Sequence, residues 1–242
     1  MTDDTPPPLE AFDAEVGRVL AIVAHPDDLE YGAAAAVARW TRAGNEVVYV
    51  LATRGEAGID GIEPDVCGPL RVQEQIASAA VVGVDVVEFL DHADGTVVHD
   101  LALRRDLARA IRRHRPDTVL TMNHRENFGQ PGTLNSADHR AVGAATLDAI
   151  ADAANRWIFP GEGGEPHRVA RAMVAASPLA RHAIDVTDTI DLAIASLKEH
   201  RAYLEGLGDH PMSDPEFLRW VLGATGERIG TEAAVGFELF EF

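Results

Sequence analysis

The chain has 242 residues, of which 46% are hydrophobic and 25% charged, enough apolar material for a substantial core. Its 39 acidic residues against 21 basic ones leave a formal net charge of -18, which opposes nucleic-acid phosphates and anionic membrane surfaces. The single cysteine, Cys67, excludes an internal disulfide and a cysteine-based structural zinc site.

Residues 1–16 are acidic and proline-rich and read as a flexible tail, with neither the basic nor the apolar region of a signal peptide. Residues 17–242 read as one domain. No apolar run approaches the ~20 residues needed to span a bilayer, so the expected location is the cytoplasm. Residues 17–25 form the first predicted strand. The alanine-rich residues 29–43 follow as a helix, with Gly44 past its end. Residues 45–53 are a second apolar, β-branched strand. Residues 54–69 hold Gly55, Gly58, Gly61, Pro64 and Pro69 and read as a long loop that includes Cys67. Residues 70–82 are helical, 84–90 a third strand, 101–114 a helix and 118–122 a fourth strand. After a polar loop, residues 136–153 form a helix with Ser136 as its N-cap and His139 in its first turn. Strands at 170–176 and 183–186, a helix over 187–207 and a last strand within 233–242 complete the reading. The apolar C-terminus is the expected surface for any homo-oligomer.

The alternation of strand and helix predicts an α/β fold: a Rossmann-like, mostly parallel sheet with helices on both faces and an irregular C-terminal portion. In such sheets ligands bind beyond the C-terminal strand ends. The first strand delivers His25, Asp27 and Asp28 there, the second Arg54 and Glu56, the third Asp91, His92 and Asp94, and the fourth His124 and Arg125. His25 and Asp28, three apart across a turn, and the distant His139 make a three-ligand set with an open position, the pattern of a catalytic zinc site. Asp27 is left over as a base. The plain alternative is that Asp27 and Asp28 cap the first helix. No Gly-x-Ser-x-Gly elbow, Gly-x-Gly-x-x-Gly turn or Walker loop is present, which removes the main support for hydrolase-triad, dinucleotide and nucleotide readings.

The segments Ala24-His25-Pro26-Asp27-Asp28, Thr53-Arg54-Gly55-Glu56-Ala57-Gly58, Leu70-Arg71-Val72-Gln73-Glu74, Phe89-Leu90-Asp91-His92-Ala93-Asp94-Gly95 and Asp138-His139 resemble the PIG-L/LmbE-like N-acetylglucosaminyl deacetylases over roughly residues 17–145. The resemblance implies a Rossmann-like zinc hydrolase that removes an N-acetyl or other N-acyl group from an amino sugar or its conjugate. It implies His25, Asp28 and His139 as ligands of Zn2+, with another divalent ion such as Fe2+ as the alternative. It implies Asp27 as the base that activates metal-bound water, and Arg71 and Asp94 as contacts to sugar hydroxyls. The expected partner is a small amino-sugar substrate, with no nucleic acid and no membrane. The family usually carries His-Pro-Asp-His at this point; this chain has Ser136-Ala137-Asp138-His139. Ser136 donates a hydrogen bond but cannot act as a cationic acid. Supporting roles then fall to Ser136, Asp138, His124 and Arg125. The alternative is a metal- or sugar-binding relative with little or no turnover.

Overall fold

The computed structural model describes residues 8–128 and 132–242. The runs Val19–Val23 (β2) and Val47–Leu51 (β3) are buried at every position, as expected of central parallel strands covered on both faces. With Glu10–Ala11 (β1), Val86–Phe89 (β4), Thr118–Met122 (β5), Arg171–Ala175 (β6), His182–Asp185 (β7) and Ala234–Glu241 (β8), they form one sheet in the order β1-β7-β8-β6-β5-β2-β3-β4. Among the described strands, only β8 runs antiparallel to its neighbours, β6 and β7.

Alternate residues of β2 feed two separate cores. Val19, Ala21 and Val23 pack with Asp28–Gly32 (α1), Ala34–Arg42 (α2), Pro64–Val81 (α3), Ile190–Leu197 (α6) and Phe217–Gly226 (α8). Leu20 and Ile22 pack with Leu101–His114 (α4) and Ala137–Ala154 (α5) on the opposite face. Arg201–Gly206 (α7) and a 3-10 turn, Pro211–Ser213, lead into α8.

The chain runs from β2 to β3 to β4 on one side and then crosses to β5 on the other side of β2. The loops after β2 and β5 therefore diverge, and the crevice between them is the expected ligand site of an open α/β sheet. Gly143 brings α5 down onto this point. A methyl there would lie 2.7 Å from the Cβ of His124 and 2.8 Å from the Met122 carbonyl oxygen. Gly143→Ala is expected to destabilise the fold by about 1–3 kcal/mol through overpacking. A denaturant midpoint equal to that of the natural chain would show that α5 has room to move.

Several expectations need correction. The segment read as a flexible tail supplies β1, which pairs in parallel with β7, and it buries Leu9 and Val16; residues 1–7 lie outside the described residues. The loop read over residues 54–69 ends earlier, because Pro64 opens α3 at a position where no backbone donor is needed. Pro69 sits within α3, and the carbonyl it leaves without a helical partner belongs to Asp65, which is exposed to solvent. Cys67 is thus a buried helical residue, and burial pushes its thiol pKa up. The helix read over 29–43 breaks at Ala33 into α1 and α2, and the one over 187–207 breaks before His200 into α6 and α7. The apolar C-terminus is consumed as β8 inside the sheet, with Phe237 fully buried, so its apolarity is explained without an oligomer interface. Among the described residues, no helix is long and apolar enough to cross a membrane.

Candidate metal centre and active site

Just beyond β2 the backbone turns sharply. Asp27 adopts φ 88°, left-handed for a residue with a Cβ, at the N-cap of α1. Such strain collects at functional sites. Its side chain makes no capping hydrogen bond, and Asp28 does not serve as a simple cap either. The Asp28 Oδ2 turns back to accept from the backbone N–H groups of Ala24 (3.0 Å) and His25 (2.9 Å). That leaves Oδ1 facing His139 Nε2 at 2.8 Å.

His139 arrives from the other side of the crevice. Ser136 caps α5 by accepting from the His139 N–H at 3.0 Å, which places the histidine in the first turn. Its Nδ1 contacts Asn135 Oδ1 at 2.9 Å, so Nε2 is the atom turned inward. His25 Nδ1 lies 3.3 Å from His139 Nε2, and His25, Asp28 and His139 each offer one ligand atom within 4.8 Å of the others. A tetrahedral centre with bonds of 2.0–2.1 Å separates its ligand atoms by about 3.3 Å. The donor set and the imidazole spacing therefore fit a zinc-like ion. The far nitrogen of His25 meets Asp94 Oδ1 (3.1 Å) and Asp138 Oδ2 (3.2 Å), the outer carboxylate support typical of metal-binding imidazoles. Asp138 is itself held by the N–H groups of Gly95 and Val97.

The electrostatics follow. Burial alone lowers an imidazole pKa, but hydrogen bonds to Asp138, Asp28 and Asp94 outweigh it and hold His25 well above its ordinary value. His139 is raised despite burial, through Asp28. Asp28 is pulled far below the carboxylate range, against its burial, by the two histidines. Asp27 behaves oppositely. Burial, only partly offset by Arg71 and reinforced by Asp28, pushes it up to about 6.

Arg71 is 1% exposed. Its Nη2 donates to Asp27 Oδ2 and to the Pro26 carbonyl, both at 2.5 Å, and its guanidinium lies 4.2 Å from the centre of the Tyr203 ring. Gly58 permits this packing, since a methyl there would come within 2.5 Å of Nη1. Arg71 thus engages Asp27 directly. Asp94, read as a sugar contact, also accepts from the Ala57 N–H at 2.9 Å. Glu56 ties these loops together by accepting from the N–H groups of Arg54 and Asp94.

A cavity of about 660 Å³ opens over the cluster and is lined by His25, Asp27, Asp28, Arg71, Asp94, Ser136 and His139. His124 and Arg125 are not among its lining residues. His124 is turned onto α5 at Gly143, and Arg125 pairs with Glu238 of β8. Ser136→Ala is expected to cost about 1 kcal/mol by uncapping α5. Thermal unfolding checks this, and an unchanged Tm would mean that the cap is dispensable.

Residues that sequence reasoning missed complete the site. Gln75 accepts from the Asp27 N–H (3.0 Å) and donates to Glu30 Oε1 (2.9 Å). His200 is fully buried and sits 3.6 Å from Glu30. Tyr31, Tyr203, Met212, Phe217 and Val221 line the cavity. The helical spacing of Arg71, Gln75 and Ser78 on α3 is the one sequence signal that hints at a polar inner face.

A switch-point crevice holding a His-Asp-His triad, with a second buried carboxylate beside it, defines a Rossmann-like α/β protein with a candidate metal centre. The chain belongs to the PIG-L family: the family model described as GlcNAc-PI de-N-acetylase matches residues 20–150. It is similar to the diacetylchitobiose deacetylase of Thermococcus kodakarensis, 27% identical over 195 residues, covering 78% of this chain and 70% of the relative. It is also similar to the 1D-myo-inositol 2-acetamido-2-deoxy-alpha-D-glucopyranoside deacetylase of Kineococcus radiotolerans, 29% identical over 194 residues, covering 66% of this chain and 52% of that relative. The fold matches that of the N,N'-diacetylchitobiose deacetylase from Pyrococcus horikoshii with TM-score 0.82 at 23% identity, over 94% of this chain and 85% of that one.

Proposed function

We propose that this chain is a metal-dependent hydrolase that removes an N-acetyl or other N-acyl group from an amino sugar or its conjugate. The observation that carries this reading is the His25–Asp28–His139 cluster with Asp27 beside it. The deacetylase names of the relatives supply the substrate class. His25, Asp28 and His139 hold the ion, Zn2+ by donor set and spacing, with Fe2+ as the alternative. When bound, such an ion lowers the pKa of water from about 15.7 to about 7 and polarises an amide carbonyl.

The protein residues do the rest. Asp27 takes the proton of the attacking water and returns it to the departing amine. Arg71 holds its Oδ2 in place, and Gln75 fixes its backbone. Asp138 orients His25, and Asp94 lies where it can serve both His25 and a sugar hydroxyl. Ser136, after accepting from the His139 N–H, retains its own O–H to donate towards the reacting carbonyl.

The test is metal content together with acetate release from a panel of N-acetylglucosaminyl compounds. Stoichiometric divalent metal and release of acetate are expected. A folded protein that binds no divalent metal would end this reading. The second reading, binding without turnover, rests on Ser136 standing where relatives have histidine. It prevails if metal-loaded protein binds acylated sugars and releases neither acetate nor amine.

A further inference from the structure

The cavity has two chemically distinct parts. Every charged lining residue among those described belongs to the cluster around His25, Asp27 and Asp28. Much of the remaining wall is apolar: Met122 from the end of β5, Ala176, Met212, and Phe217 and Val221 from α8. Most of this wall comes from residues 203–221, beyond the part of the chain that the family model matches. It is firmly attached. Tyr31 donates to the Met212 carbonyl at 2.7 Å, and Glu74 accepts from the Ala202 N–H at the start of α7. Phe217 also touches Trp220, ring centres 5.9 Å apart, and Trp220 is 70% exposed. The apolar wall therefore continues from the cavity to the surface.

A single N-acetylhexosamine has about 15 non-hydrogen atoms and fills roughly 300 Å³ at ordinary packing density. That leaves about half of the 660 Å³ cavity for something else. A second sugar or an inositol placed against Met212, Phe217 and Val221 would find no charged partner for its hydroxyls there, because the charged lining residues lie around His25, Asp27 and Asp28. An alkyl or aryl group there would gain from every methylene removed from water.

Resting on the deacylase reading above, we propose that the natural substrate is amphipathic: an acylated amino sugar with an apolar substituent, on its acyl group or its aglycone, that lies along Met212, Phe217 and Val221 towards Trp220. Both positions present the same chemistry to the wall, and two substrate series separate them. One lengthens the acyl group of N-acylglucosamines from acetyl to octanoyl. The other lengthens the aglycone of N-acetyl-β-glucosaminides from methyl to octyl, with N,N'-diacetylchitobiose as the polar comparison. With the metal-loaded full chain, kcat/KM is expected to rise at least about tenfold along one series. Phe217→Gln or Val221→Asn should flatten that rise. As a readout independent of turnover, octyl β-glucosaminide should bind at least about tenfold more tightly than methyl β-glucosaminide by calorimetry. If N-acetylglucosamine compounds are hydrolysed while both series stay flat, the amphipathic substrate is wrong and the deacylase reading stands. If nothing is hydrolysed, the deacylase reading fails, and the octyl-to-methyl binding ratio still decides: a ratio near one overturns the proposal.

Discussion

Asp28→Ala is expected to abolish stoichiometric metal binding. Asp28 is the hinge of the triad, with Oδ1 2.8 Å from His139 Nε2 and Oδ2 held by two backbone N–H groups. Alanine removes one of the three candidate ligand atoms. Loss of an outer partner alone costs about 10–100-fold in affinity, so loss of a ligand should cost more than about 100-fold. It also leaves the Ala24 and His25 N–H groups without their acceptor, at about 1–3 kcal/mol for each buried donor left unpaired. Metal content after dialysis against a weak chelator, together with Tm, reads both effects. Full occupancy in Asp28→Ala would remove this residue from the ligand set.

Asp27→Asn is expected to keep the metal and lose turnover. Asparagine cannot accept the proton of the attacking water, and loss of a general base typically costs about two to four orders of magnitude in rate. The stability outcome rests on two opposing effects. Arg71 is buried and loses the negative charge of its partner, which on its own costs about 3–5 kcal/mol. Against that, burial disfavours the ionised form of the Asp27 carboxyl and pushes it up to about 6, and the neutral amide is spared that penalty. The two oppose each other, so Tm should fall by less than loss of the ion pair alone would give. Helix capping plays no part in this balance, because Asp27 makes no capping hydrogen bond. Acetate release from metal-loaded Asp27→Asn decides the matter. Near-wild-type kcat at full metal occupancy would show that another group is the base.

Local information is enough to put His25, Asp28 and His139 at the ends of their elements. The apolar run before His25 reads as a buried strand, and its polar end reads as a ligand site because parallel strands present their C-terminal ends to one edge. Ser136 reads as an N-cap, and the structure has it accept from the His139 N–H. Where local signals misled, the cause is specific. Glycines and prolines over residues 54–69 suggest a loop, yet Pro64 is a helix starter and Pro69 follows within the same helix. The apolar spacing of residues 187–207 continues across the break before His200, so periodicity alone cannot reveal that His200 turns inward to Glu30. Residues 217–226 follow Pro215 and contain Gly223 and Gly226, which weakens the helical signal of α8.

The sequence by itself determined the parallel α/β class and the strand that carries the His25–Asp28 turn, because periodicity and capping are written in neighbouring residues. Only the tertiary structure decided which distant groups meet. His25 and His139 stand 114 positions apart and come within 3.3 Å because β2 and β5 are adjacent at the topological switch. Arg71, 44 positions from Asp27, reaches its carboxylate because α3 packs over the turn and Gly58 leaves room for the guanidinium. The apolar wall from Met212 to Val221 faces the same cavity because Tyr31, Glu74 and Glu30 anchor the C-terminal segment against α1 and α3. Such contacts depend on strand order and close packing of the whole chain, and no local pattern encodes them.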